Sequence, residues 1–162
     1  MRSLLHLKSF YIYNLILILG FCIIVNPINN FNILNSSFYC IFHFLLIYLG
    51  VYHYKIILFF IYFLYGLGLD LLWFNEIGPH LLIFMIILVT LNLSSKYLYN
   101  LNSFKIYLFL LFLQILTIFF ESILSYILFN FRIDLSFFYQ ISFLSLFLSY
   151  PIFVLFSKID NI

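Results

Sequence analysis

Between Ile106 and Phe120 only Gln114 and Thr117 interrupt a run of Leu, Ile, Phe and Tyr. Such a stretch lacks the period-two alternation of a barrel strand and is apolar on every side, unlike a helix on the surface of a soluble domain. Comparable runs recur along the chain. Of its 162 residues, 67% are apolar and only 7% charged, against about 25% charged in a soluble globule. A water-soluble fold is excluded, and the natural solvent is a bilayer. Inside hydrocarbon every backbone N–H and C=O must be paired within the protein, which leaves helices or closed barrels. The absence of period two selects helices, so the expected fold is an all-α integral membrane protein.

Crossing a bilayer takes about 17–25 residues. Punctuation by polar, Gly, Pro and charged residues predicts six transmembrane helices in one domain covering 1–162, at 10–25, 38–54, 56–74, 81–93, 104–129 and 135–156. The first, second and fourth are short, so their ends are expected to lie in the interface or to extend by a turn. Only Tyr54 and Lys55 separate the second from the third.

The basic residues orient the spans. Six spans put Arg2, Lys8, Lys55, Lys96, Lys105 and Lys158 on one side and Arg132 alone on the other. Both termini are therefore expected in the cytoplasm. The first span follows Arg2 and Lys8 as a secretory signal would, but Asn26 and Pro27 come directly after Val25 with no small-residue cleavage site. A retained helix is expected. The longest hydrophilic segment, Asn26 to Ser37, is read as a loop and contains the formal glycosylation sequon Asn35-Ser36-Ser37.

Several function classes lose support at this stage. A net charge of +2 carried by scattered cations gives no basic patch for nucleic acid. The cysteines Cys22 and Cys40 fall at similar depth across one loop; a disulfide is conceivable, and buried free thiols are the plainer reading. Together with the dispersed His6, His43, His53 and His80 they form no metal-ligand spacing. The chain has no alanine, which fits the codon bias of an AT-rich genome and makes part of the aromatic excess mutational.

The informative residues are the acids within the spans. Asp70 in the third helix and Glu121 in the fifth fall at a shared depth, roughly 5–7 Å beyond the midplane at about 1.5 Å per residue. A carboxyl near the centre of a span costs on the order of 2.5–3.5 kcal/mol on insertion scales, so both are expected to face the bundle interior. Gln114, Thr117, Glu121 and Ser125 form one helical stripe, Ser142, Ser145 and Ser149 another, and Tyr62, Gly66, Asp70 and Trp73 a third. The third, fifth and sixth helices are therefore expected to meet around a polar core, with His43 and His80 able to reach it. Three readings of that core stand: a structural post with protonated carboxyls, a binding niche or partner contact, and a catalytic centre. The last lacks a motif. Gly66-Leu67-Gly68-Leu69-Asp70 is one residue too long for the Gly-x-Gly-Asp of intramembrane aspartyl proteases, and Asp134 and Asp160 are expected in a loop and a tail. No catalytic, metal or cofactor site is expected.

Tyr65-Gly66-Leu67-Gly68-Leu69-Asp70-Leu71-Leu72, followed by Gly78 and Leu81-Leu82, resembles the Gly-x-x-x-Asp-Leu-Leu then Gly-x-x-x-Leu pattern of the rod shape-determining membrane protein MreD family. Pro27 after the first span, Glu121 in the fifth, and Tyr150-Pro151 before a last apolar run to Lys158 fit the same pattern. The chain departs from it at Phe59, Phe60 and Ile61, where the family often has small residues, and at Pro79. The resemblance covers nearly the whole chain. It implies a non-enzymatic component of the bacterial inner membrane, part of the rod complex that builds side-wall peptidoglycan. The implied partners are the bitopic MreC and, through it, MreB filaments, RodA and its transpeptidase partner. It also implies a fold similar to the six-helix substrate-binding subunits of energy-coupling-factor transporters. A vitamin-type capture subunit is therefore the alternative. On the main reading Gly66, Asp70 and Gly78 shape the helix packing that presents a partner surface. Gln114, Glu121, Ser145, Ser149 and Pro151 complete the polar core.

Overall fold

The computed structural model describes residues 2–26, 32–53, 56–98, 101–129 and 135–160. Pro27, Lys55, Arg132 and Asp134, which entered the sequence reading, lie outside the described residues. Six helices follow in chain order: α1 (Arg2–Val25), α2 (Asn32–Tyr52), α3 (Ile56–Phe74), α4 (Pro79–Leu98), α5 (Ser103–Phe129) and α6 (Leu135–Asp160). No strand occurs among the described residues. Four helices are long and apolar enough to cross a membrane, over Ile33–Tyr52, Ile56–Phe74, Ser103–Phe129 and Phe138–Asp160; the apolar parts of α1 and α4 are shorter, at Ser9–Val25 and Pro79–Ser94. Among the described residues the fold is all-α, with helices of the length and hydropathy of a membrane protein.

α1, α2, α4 and α6 each run past an expected end while α3 keeps its expected bounds, because helical hydrogen bonding is the cheapest way to satisfy a backbone until it reaches water. α2 starts at Asn32 instead of 38, so the sequon Asn35-Ser36-Ser37 lies within a helix and not in a loop. Ser37 Oγ donates back to the Ile33 carbonyl at 2.7 Å, which satisfies the hydroxyl inside its own helix. α4 opens at Pro79, whose fixed φ and missing N–H suit a first helical position. α6 continues to Asp160 and absorbs what had read as a tail. α3 ends on Asn75, which takes the left-handed conformation (φ 58°) as helix-terminating Asn and Gly residues do.

The helices alternate in direction. Tyr13 of α1 packs on Tyr48 and His53 while Gly20 faces Phe42, so α1 and α2 run antiparallel. α2 and α4 run parallel, with His43 beside Phe84 and Gly50 beside Leu91. α2 and α6 are parallel as well, Cys40 meeting Ser145 and Tyr48 meeting Asp160. α1, α3 and α5 thus point one way, and α2, α4 and α6 the other.

The centre of the bundle is α2, which packs against every other helix and is buried over 67% of its apolar window, against 33%, 28% and 22% for α3, α5 and α6. The expectation that α3, α5 and α6 would converge is corrected here. α3 packs chiefly on α4 and reaches α5 at its far end, where Phe74 stacks on Phe129 with centroids 4.5 Å apart; α3 and α6 are not a packed pair. The reason is position. α2 packs on both α3 and α6 and stands between them, while α5 and α6 do pack on each other. The outside is apolar, with Phe60, Leu64, Phe112 and Phe147 among its exposed side chains. In lipid that surface is solvated, and cohesion between helices rests on close packing and interhelical hydrogen bonds.

Candidate functional site

The first acid is built into a helix joint. Asp70 is fully buried, at 0% exposure, near the end of α3. Its Oδ2 accepts from the backbone N–H of Gly78 (3.0 Å) and Leu81 (2.9 Å), and its Oδ1 from the backbone N–H of His80 (3.0 Å). The His80 ring Nδ1 lies 2.8 Å from the same Oδ1. These backbone donors belong to Gly78, just before α4, and to the first turn of α4, which has no carbonyls of its own to receive them. A carboxyl from the preceding helix therefore caps the next one, where the helix dipole also favours negative charge. Gly66, one turn before Asp70, makes the approach possible. A Cβ there would sit 2.7 Å from Leu81 Cα and 3.3 Å from the His80 carbonyl oxygen. Gly78 closes the joint, since a Cβ on it would meet the Phe129 ring at 2.9 Å and Asp70 Oδ1 at 3.1 Å.

The second acid is held by the central helix. Glu121 of α5 accepts from the Tyr39 hydroxyl at 2.7 Å, and His43 Nε2 lies 3.0 Å from both of its carboxyl oxygens. His43 Nδ1 is 2.9 Å from the Tyr39 carbonyl oxygen. A carbonyl can only accept, so Nδ1 carries a proton. The Nε2 contact then needs one further proton, residing on nitrogen or on oxygen, and the pair is neutral overall in either case. That is how an acid and a base can share a low-dielectric interior without an uncompensated charge.

Rings connect the two acid sites. Tyr39 stacks on Trp73 (6.0 Å between centroids), Trp73 meets His80 edge-on (5.1 Å), and Phe84 packs on both His43 (5.4 Å) and His80 (6.3 Å). The acids are neighbours across an aromatic wall and share no hydrogen bond among the described residues. His43 and His80, expected only to come within reach, are the direct partners.

On the α5 stripe, Gln114, Thr117, Glu121 and Ser125 are all buried. Thr117 and Ser125 donate to carbonyls of their own helix, at 2.7 Å each, so only Gln114 and Glu121 reach out. Gln114 Nε2 donates to the Cys40 carbonyl (2.9 Å) and to Ser145 Oγ (3.2 Å), and Ser145 in turn contacts the Cys40 thiol at 3.4 Å. Gln114 Oε1 is buried without a partner among the described residues. Ser149 pairs with the Tyr107 hydroxyl at 3.1 Å, 14 residues along α5 from Glu121 and outside its site. Pro151 lies inside α6 with its ring exposed, away from the core. Cys22 is exposed and Cys40 buried, both as free thiols.

A third acid is the residue that sequence reasoning missed. Asp160, expected in a tail, ends α6 and accepts from the hydroxyls of Tyr13 (2.9 Å) and Tyr48, with His53 Nε2 at 3.0 Å. Each of these acids thus lies against one histidine: Asp70 with His80, Glu121 with His43, and Asp160 with His53. Asp160 and Asp70 lie at opposite ends of the helices, so they form no catalytic dyad. No group of three or more His, Cys, Asp or Glu arranged to hold a metal occurs among the described residues. Chemically, the Asp70 and Glu121 sites hold helices together by hydrogen bonds to both carboxyl oxygens. In comparisons with protein-family models, curated proteins and solved structures, nothing matches this chain.

Proposed function

We propose that this chain is a six-span, non-enzymatic scaffold of the bacterial inner membrane, with both termini cytoplasmic, acting in the rod complex as the MreD family does. In that role it binds the bitopic MreC through lipid-facing helix surfaces and short loops, and through MreC serves MreB, RodA and its transpeptidase partner. The observation that carries the reading is the α3–α4 joint. Gly66, Asp70 and Gly78, which carry the resemblance, are the residues that set one helix against the next. Residues with that task fix the shape of a surface and do not turn over a substrate. The alternating helix directions and the shared end of Lys105 and Lys158 support the same orientation.

A vitamin-type capture subunit would need polar groups left open for its ligand. The unpartnered Gln114 Oε1 favours it, while the oxygens of Asp70 and Glu121 are engaged within the protein. The test is co-purification from native membranes. Asp70→Leu is expected to lose MreC and to round the cells. Intact co-purification with normal rods would refute the scaffold reading, and saturable binding of a vitamin-sized ligand that Glu121→Ala weakens would establish the other.

A further inference from the structure

Asp160 lies at the wall of a cleft of about 490 Å³ between the C-terminal ends of α2 and α6 and the start of α5. The position differs from the two core acids in a way that matters. Asp70 and Glu121 are sealed, whereas the Asp160 side chain keeps 18% of its surface exposed. Its protein partners are two phenols and one imidazole; no Lys or Arg pairs with it among the described residues. Three bonds leave one acceptor direction of a carboxylate unused.

The rest of the lining suits a cation. Tyr48 and Tyr52 lie with their rings tilted by 33° and centroids 4.6 Å apart, and Phe153 packs edge-on against Tyr48 at 6.3 Å. Aromatic faces beside a carboxylate are the usual surroundings of a bound ammonium group. The lining also includes Ser103, in the first turn of α5, and the N-terminal end of a helix suits an anion. A ligand with a positive and a negative end therefore finds a counterpart for each.

We propose that this cleft binds an ammonium group, supplied by the headgroup of a zwitterionic phospholipid such as phosphatidylethanolamine. The lipid source follows from depth and surroundings. The cleft opens where three helices end, at the level of headgroups for a helix of this length. Phe104 of α5 and Tyr150 and Leu155 of α6 are exposed apolar side chains that acyl chains can cover. The inference needs only that the bundle sits in a membrane, and it stands whether or not the scaffold reading does.

The test is native mass spectrometry of the full chain released from nanodiscs containing phosphatidylethanolamine, its N-acetylated analogue and phosphatidylglycerol in equal amounts. Phosphatidylethanolamine is expected to be retained over the N-acetylated analogue on the order of tenfold, as a salt-linked cation–π contact implies. Asp160→Asn should abolish that preference. Because Asp160 also ties α6 to Tyr13 and Tyr48, Tyr52→Leu on the exposed rim serves as a second variant and should reduce the preference several-fold in a folded protein. Equal retention of the two lipids, or a preference that survives Tyr52→Leu and Asp160→Asn, would overturn the proposal. So would displacement of the lipid by excess free ethanolamine, which would make a soluble amine the ligand. Occupation of the cleft by a lysine of a co-purifying protein with no headgroup preference would overturn it too.

Discussion

His80 meets Asp70 twice, through its backbone N–H at 3.0 Å and its ring Nδ1 at 2.8 Å, and both contacts fall on Oδ1. One residue thus supplies the N-terminal donor that α4 must satisfy and the base that accompanies a buried acid. The other oxygen, Oδ2, takes the Gly78 and Leu81 amides. Asp70 reads as a membrane-embedded helix cap.

Loss of that cap has a cost that depends on the replacement. Asp70→Leu strands three backbone donors in a sealed site and is expected to destabilise the bundle by about 3 kcal/mol. Asp70→Asn keeps one acceptor and should cost about half as much. Reversible unfolding in detergent and SDS mixtures orders the two variants, and equal stability of wild type and Asp70→Leu would contradict the capping role.

The glycines separate by what surrounds them. At Gly66 an added methyl meets Leu81 backbone at 2.7 Å, which cannot yield without parting α3 from α4. Gly66→Ala should therefore cost about 1–3 kcal/mol. At Gly20 the nearest atom is a Phe42 ring carbon at 3.6 Å, an ordinary contact, and Gly20→Ala should stay within about 0.5 kcal/mol. The same unfolding assay compares them, and a reversed order would contradict the packing described.

His43 and Glu121 should behave as a unit. Removing either leaves the other buried with an unmatched proton or charge, so each alanine variant alone should be damaging and the double variant little worse than the more severe one. A double-mutant cycle is expected to return a coupling of about 1–2 kcal/mol, the upper part of the range for polar pairs in membranes. Tyr39→Phe, which removes only the 2.7 Å donor to Oε2, should cost about 1 kcal/mol. Additivity in the cycle would mean the pair is not coupled.

Topology is checked separately. Reporter fusions at both tails should report the cytoplasm, as the excess of Lys and Arg on that side implies. An exported tail would break the six-span arrangement.

Much of the fold was legible because lipid leaves a chain few choices. Apolar runs must be helices, and acids such as Asp70 and Glu121 must turn inward, so the period of the α5 stripe located its buried face. Partner identity was not legible. Glu121 finds Tyr39 and His43 on a helix far away in sequence, and nothing local marks α2 as central, although Tyr39 and His43 stand one helical turn apart on it. The Asp70 cap needed the start of α4, for which Gly78-Pro79 was the available signal. Asp160 looked like tail because hydropathy falls after Phe156. Its place depends on Tyr13, Tyr48 and His53, which only the tertiary fold brings to it.

The most direct measurement is the amide proton spectrum of Gly78, His80 and Leu81 in bilayers, by solid-state NMR of the wild type and of Asp70→Asn. Amides that donate to a carboxyl group in a sealed site should resonate downfield of the other α4 amides, and those that lose their acceptor oxygen should move upfield in the variant. Unshifted resonances, or three amides that ignore the substitution, would contradict the claim that Asp70 holds the first turn of α4.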